Sequence, residues 1–195
     1  VGLQHRKQVR MCTHMHPIHL VALVLLLAFS ALSALDGLYL HLYRLRLHAR
    51  PASWNEHLWH TVRSVLFVPM VLALFATRSG GLLLWFGIAV VAVDQVIEAL
   101  DAASEGAARL EFGGLSSFEY GLHLMLTTLR AAALTAVLVS RPAQAWALDA
   151  PLVLEPLAAP WSFLAVQLAF TGVVVALVHV ALAVKHCPLT RCQAA

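Results

Sequence analysis

Residues 18–43 read IHLVALVLLLAFSALSALDGLYLHLY and contain one acidic residue, Asp36, and no lysine or arginine. An α-helix needs about 20 predominantly apolar residues to cross a hydrocarbon core of about 30 Å, so this stretch is long enough to span a bilayer. It is also longer than the apolar region of a secretory signal peptide. The stretch therefore predicts a transmembrane helix.

Four further apolar runs have a similar length. The 195-residue chain is 61% hydrophobic and 12% charged, with a mean hydropathy of +0.79, whereas about a quarter of the residues of an ordinary soluble domain are charged. We predict an all-α, polytopic membrane protein with about five transmembrane helices, in which helices 1–4 form an antiparallel four-helix bundle. The predicted helices lie at 18–43, 57–77, 80–103, 117–139 and 161–184.

The segments outside these helices are expected to lie along the membrane interface. Residues 1–17 form a basic tail, and residues 142–160 carry four prolines, which a spanning helix would not tolerate. The chain is thus predicted to be a single integral membrane domain, with its four-helix core at 18–139 and its fifth helix at 161–184. The lipid bilayer is the expected partner.

Charge and cysteine content exclude several other classes. The net charge is +3, but the arginines mostly flank apolar runs, as interface anchors do, so no nucleic acid partner is predicted. Cys12, Cys187 and Cys192 are an odd number and lie near opposite ends of the chain. They indicate neither a disulfide framework nor a zinc site.

The ten acidic residues and eleven histidines are unusual in so apolar a chain. If the five helices alternate in direction, the ends of helices 1 and 3 and the starts of helices 2 and 4 meet on one side of the membrane. Eight of the acids and seven of the histidines fall toward that side. On helix 3, Asp94, Glu98 and Asp101 have the i, i+4, i+7 spacing of a single acidic stripe.

Two similar motifs begin helices 2 and 4. Residues 56–60 read EHLWH and residues 119–123 read EYGLH, so each motif places a glutamate and a histidine four apart on one helix face. Asp36 precedes Glu56 by 20 residues, and Glu98 precedes Glu119 by 21. Helices 1–2 and helices 3–4 therefore form a pseudo-repeat whose polar faces are expected to converge.

Carboxylates gathered at that depth repel one another and lose hydration, so cations must neutralise them. Metal ions are the expected cations, with supporting residues that orient the ligands. The predicted metal ligands are Asp36, His41, Glu56, His57, His60, Glu98, Asp101, Glu119 and His123, and the predicted supporting residues are Arg63, Asp94, Arg130 and His179.

Some of these residues have a second interpretation. Ser53 with Glu56, and Ser116 with Glu119, have the spacing of a helix capping box, which needs no metal. His57 fits an interfacial position as well as a ligand position. Either Arg63 or Arg130 is expected to form an ion pair with Asp94.

In composition and layout, the predicted ligands resemble those of di-iron and di-manganese carboxylate proteins, in which carboxylates and histidines project inward from four helices. The resemblance covers helices 1–4, although the Glu-x-x-x-His spacing is one residue wider than in the ferritin-like motif. The E-H-x-x-H and E-Y-x-x-H layout is also similar to that of a family of small bacterial membrane proteins. These resemblances imply two metal ions, with iron favoured over manganese or zinc, and a location in the bacterial inner membrane.

The leading functional hypothesis is a membrane-embedded dimetal oxidoreductase or oxygenase, of the di-iron type, that acts on a hydrophobic small molecule from the bilayer. A zinc-dependent lipid hydrolase could use the same site. A haem- or chlorophyll-binding accessory subunit of a larger respiratory or photosynthetic complex would instead use the histidines as axial ligands. Buried acids and histidines are also expected in a cation or proton transporter.

Overall fold

The computed structural model describes residues 17–151, 156–157 and 159–187, so the predicted basic tail lies outside the described residues except for Pro17. The described chain is all-α and contains no β-strand. Five of its helices are long and apolar enough to cross a membrane, which confirms the five predicted apolar helices. They are α1 (Pro17–Arg44), α2 (Trp54–Leu74), α3 (Gly81–Ala108), α4 (Ser117–Val139) and α5 (Trp161–Lys185).

The helix ends agree with the sequence pattern where local signals are strong. Ser116 accepts a hydrogen bond from the backbone of Glu119, and the Glu119 side chain accepts one from the backbone of Ser116, so the predicted capping box of α4 is confirmed. The corresponding prediction for Ser53 is wrong. Its hydroxyl donates to the backbone carbonyl of Leu47 at 2.9 Å, because the short turns before α2 bring these residues together.

The bounds of two helices differ from the prediction, α3 by a longer end and α2 by a shift of three residues toward the N-terminus. α3 continues five residues past the predicted end at 103, through Ser104 and Gly106 to Ala108, and so carries Glu105. Two glycines then reverse the chain. Gly113 and Gly114 have φ of 85° and 102°, a region that glycine enters without steric cost. α2 begins at Trp54, three residues before its predicted start, so Glu56 lies in its first turn.

The last ten residues of α1, Leu35–Arg44, are π-helical. Hydrogen bonds in a π-helix join residues five apart, so residues with this separation lie over one another, and such segments often mark functional sites. Asp36 and His41 are five apart, and the π-helix places both side chains on one face. In a regular α-helix they would point in different directions.

All five helices take part in the packing. α2 packs along both α3 and α5, and α1 packs along α4. Buried leucine, valine and alanine side chains from every helix form an apolar core, which includes Leu26, Val71, Leu84, Val137 and Ala165. The polar side chains gather elsewhere, toward the ends of α1, α3 and α5 and the starts of α2 and α4, and the cluster reaches as far as the middle of α3 and α4 at Asp94 and Arg130.

The described part of the proline-rich loop packs against the end of α2. Arg141, which directly precedes this loop, donates hydrogen bonds to the backbone carbonyl of Leu74 at the end of α2 and to that of Thr77 just after it. Burial, with the neighbouring charge of Arg78, lowers the pKa of Arg141 to about 10. Trp85 of α3 also donates to the backbone carbonyl of Trp146 in this loop. These contacts close the end of the molecule that lies opposite the polar cluster.

Candidate metal centre

Three predicted ligands come together at the π-helical end of α1. One ligand atom each of Asp36, His41 and His60 lies within 4.8 Å of the other two. Nε2 of His41 is 3.4 Å from Oδ1 of Asp36, and the rings of His41 and His60 are 4.3 Å apart at their centroids. Two imidazoles and a carboxylate are ligands that suit a first-row transition metal. These residues are called the trio below.

His123 of α4 joins the trio to α3. Its Nε2 lies 3.2 Å from Oδ1 of Asp36, and its Nδ1 lies 2.8 Å from Oε1 of Glu105. Asp36 therefore contacts two imidazoles, and His123 contacts two carboxylates. Glu105 was not among the predicted site residues, because the predicted helix ended before it.

Arg109 is the second residue that sequence analysis missed, and it holds two predicted ligands. The side chain is completely buried, and its Nη1 and Nε donate to Glu56 at 2.7 Å and to Glu119 at 3.0 Å. Its Nη2 lies 3.2 Å from Nε2 of His41. Burial opposes the positive charge, but the two carboxylates outweigh it and raise the pKa of Arg109.

Each of these two glutamates thus has a cationic partner other than a metal. The second carboxylate oxygen of Glu56, Oε1, nevertheless has no hydrogen-bond partner although it is buried. It lies 3.9 Å from Nε2 of His41 and so faces the trio. Glu56 therefore still has an oxygen that could bind an ion, and Glu119 is held both by Arg109 and by its capping box.

The acidic stripe of α3 faces arginines of α2 and α4. Arg130 binds both Asp94 and Glu98. Arg63 lies 3.4 Å from Asp94 through Nε and 3.4 Å from Asp101 through Nη1. The sequence predicted an ion pair of Asp94 with either Arg63 or Arg130, and Asp94 contacts both of them.

Asp101 links this stripe to the trio. Its Oδ2 is 3.3 Å from Nε2 of His60, while its Oδ1 is buried and has no hydrogen-bond partner. A buried carboxylate oxygen without a donor is costly unless an ion or water binds it. Asp101 and Glu56 therefore both present an unsatisfied oxygen close to the histidines of the trio.

These contacts form one connected network, in which carboxylates outnumber guanidinium groups. It contains seven carboxylates but only three guanidinium groups, so four carboxylates exceed the arginines. The histidines His41, His60 and His123 connect its parts. The carboxylates are Asp36, Glu56, Asp94, Glu98, Asp101, Glu105 and Glu119, and the guanidinium groups are Arg63, Arg109 and Arg130.

His57 lies apart from the trio. Its ring is 5.4 Å from that of His179 on α5 and 5.8 Å from that of His48, measured between centroids. Its Nε2 is buried without a hydrogen-bond partner. His57 is therefore placed with His179 rather than with the other predicted ligands on α2.

A cavity of about 270 Å³ lies beside the trio. Asp36, His60 and His123 line one part of it, together with the acidic stripe and Arg63 and Arg130. Another part has an apolar wall, formed by Phe29, Phe67, Met70, Leu126 and Leu168. The cavity thus joins candidate metal ligands to a surface that suits a hydrophobic molecule.

Comparison of the chain with models of protein families, with curated proteins and with solved structures yields no match. The helical fold and the candidate His/Asp metal site are therefore interpreted from their own geometry. That geometry brings together candidate ligands from two histidines and an aspartate, a surplus of carboxylates over arginines, and an adjoining cavity.

Proposed function

We propose that this chain is a membrane-embedded metalloenzyme that oxidises a hydrophobic substrate. The observation that carries the proposal is the trio of Asp36, His41 and His60 at the edge of a cavity with an apolar wall. Two histidines and one carboxylate, with positions left open, are the ligands typical of non-haem iron oxygenases. A bound iron would supply oxygen activation or polarise the substrate.

The surplus of carboxylates over arginines supports a metal centre, and two divalent cations match it when the carboxylates are ionised and the histidines are neutral ligands. Four carboxylates in excess of the arginines would be strongly disfavoured inside helices that cross a bilayer. Two divalent cations carry the charge that balances them. Asp101, Glu105 and His123 line the same cavity as Asp36 and His60 of the trio, so we propose them as ligands for a second ion.

The remaining polar residues would orient and support these ligands. Arg63 and Arg130 hold Asp94 and Glu98 at the cavity wall. Arg109 binds Glu119 and one oxygen of Glu56, so it would hold both side chains in place while the second oxygen of Glu56 faces the trio. Such outer contacts commonly fix the orientation of metal ligands.

The cavity indicates the kind of substrate. Its aromatic and aliphatic wall, with Phe29 and Phe67, would exclude a strongly hydrated molecule. A hydrophobic molecule dissolved in the bilayer would place one end near the trio and the rest against this wall. The helices around the cavity would cross the membrane in alternating directions, as the sequence predicts.

Elemental analysis of the purified protein in lipid nanodiscs tests the proposal. We expect about two iron or manganese ions per chain in the wild type and a loss of at least one ion in the Asp36→Asn, His60→Gln double variant. Glu111→Gln, which changes a half-exposed carboxylate outside the network, is the control and should retain both ions. Wild-type protein without stoichiometric metal would rule out the proposal.

Spectroscopy separates the alternatives that share these residues. A zinc hydrolase would contain metal but give neither optical nor paramagnetic signals, and a haem or chlorophyll subunit would absorb strongly in the visible range. A cation carrier would lose uptake in Asp101→Ala while its resident metal content remained unchanged. Iron signals that disappear in the double variant would favour the oxidoreductase.

A further inference from the structure

Four histidines form a row beside the trio. Neighbouring ring centroids are 5.0 Å apart for His186 and His48, 5.8 Å for His48 and His57, and 5.4 Å for His57 and His179. His179 lies on α5 and His186 directly follows its last residue, about two turns further along the chain, so the row follows the end of this helix. It runs from the end of α5 toward the cavity.

The two ends of the row have different surroundings. His48 and His186 are only partly buried, in the turn after α1 and at the end of α5. His179 is almost completely buried and lines the cavity together with Asp36 and His60. A methyl group placed on Gly37, the neighbour of Asp36, would lie 3.9 Å from Nε2 of His179. The row therefore connects the outer end of the helices with the trio.

The ring spacing matches that of imidazoles which share a metal ion. With metal–nitrogen distances of about 2.0–2.1 Å and tetrahedral angles, two imidazoles on one ion place their centroids about 5 Å apart. Three nitrogens of the row, Nδ1 of His48, Nε2 of His57 and Nδ1 of His179, are buried without a hydrogen-bond partner.

The row does not form a chelating site of its own. Among the residues that the structure describes, the trio is the group whose ligand atoms all approach within 4.8 Å, and no three of the four histidines in the row do so. Each neighbouring pair could offer two ligands to an ion, whereas the trio offers three and adds a carboxylate charge. Binding along the row would thus be weaker than binding at its inner end.

We propose that His186, His48, His57 and His179 form a loading path, along which a divalent transition metal ion passes from the membrane interface to the trio. The ion moves by ligand exchange: an imidazole of the next pair binds as one of the previous pair leaves. No electron is transferred, and displaced water or protons return to solvent. The inference rests on the proposed metal centre, because the path needs a destination.

Loading kinetics test the path separately from the centre. Metal-free full-length protein in nanodiscs is mixed with Co²⁺, and binding is followed by the visible absorption of the ion and by the final metal content. We expect His48→Phe and His57→Phe to lower the loading rate roughly tenfold, a change of about 1.4 kcal/mol in the barrier. The final metal content should be that of the wild type.

The control is His19→Phe, which changes a histidine at the other end of α1, where it contacts Ser140. Its loading rate should be that of the wild type. His48 is partly exposed, so its variant remains informative even if replacement of the buried His57 impairs folding. Unchanged loading rates in both variants would overturn the path. A lower final metal content in a His57→Phe variant whose thermal unfolding matches that of the wild type would also overturn it, by making His57 a resident ligand. Wild-type protein that takes up no Co²⁺ would instead contradict the metal centre.

Discussion

Nη1 of Arg109 lies 2.7 Å from Oε2 of Glu56, and neither side chain is more than 1% exposed. The same guanidinium binds Glu119. Removing one partner of a buried ion pair leaves an uncompensated charge and typically costs about 3–5 kcal/mol. We therefore expect Arg109→Gln to lower the free energy of unfolding by about that amount, measured by reversible denaturation in detergent micelles.

The matched control is Arg44→Gln, which changes an exposed arginine at the end of α1 and should alter stability by less than about 1 kcal/mol. Arg109→Lys should restore little of the lost stability. A single ammonium group cannot replace the three nitrogens of the planar guanidinium that reach Glu56, Glu119 and His41. Equal stability of the Arg109 and Arg44 variants would contradict this role.

Arg109 shows why part of the site could not be predicted. The acidic stripe at 94, 98 and 101 was identified from helical spacing, and that spacing continues to Glu105 and Arg109. The predicted helix ended at 103, where apolar residues give way to Ser104 and Gly106. The helical spacing that continues past Asp101 was the signal that could have placed Glu105 and Arg109 in the site. In a chain of apolar helices, however, a polar turn is also what is expected where a helix ends at the membrane interface. Composition defined the spans better than it defined their ends.

The π-helical end of α1 was beyond sequence reasoning for a different reason. Periodicity arguments assume 3.6 residues per turn, which places Asp36 and His41 on different faces. Both were still predicted as ligands because each was an ionisable residue in an apolar run. Their direct contact depends on i to i+5 hydrogen bonds, which tertiary packing selects. In contrast, the capping box at Ser116 is a local signal and was predictable.

Two glycines of α3 provide a paired test of helix packing. A methyl group on Gly87 would lie 2.5 Å from Cδ2 of Leu74 and 3.2 Å from Cβ of Ala73, so α2 and α3 approach closely there. Overpacking of this kind costs about 1–3 kcal/mol, which is the expected loss of stability in Gly87→Ala. Thermal unfolding of the detergent-solubilised protein would measure it.

Gly106 is the control, since a methyl group there would meet nothing within 4 Å. In Gly106→Ala the helix gains a better helix former, and stability should rise by about 0.5–1 kcal/mol. A loss of stability in Gly87→Ala together with a gain in Gly106→Ala would support close packing of α3 against α2 at Gly87. A stabilising effect at Gly87 would contradict the packing.

The lowered pKa of His48 predicts a pH dependence of stability. Burial is the main cause, and the folded protein therefore keeps this ring neutral below its ordinary pKa of 6.5. In that range the unfolded chain binds more protons than the folded protein. The contribution of His48 to the free energy of unfolding is therefore complete above pH 6.5 and is lost as the pH falls toward the pKa of the folded protein. We expect His48→Gln to lose less thermal stability than the wild type on acidification from this pH. If thermal stability depended on pH in the same way in both proteins, His48 would not contribute to the loss of stability in acid.

The placement of His41 and His57 makes a last prediction about equilibrium metal binding. Both are histidines with 1% exposure, but His41 belongs to the trio and His57 to the row beside it. We expect His41→Gln to weaken metal binding at least tenfold, because an imidazole ligand is lost, whereas His57→Gln leaves the affinity within about twofold. Competition with a chelator of known affinity would measure both, with thermal unfolding as the check on folding. If His57→Gln weakened binding as much as His41→Gln, His57 would have to rotate toward the trio when the ion binds, and the ligands would then include both buried histidines.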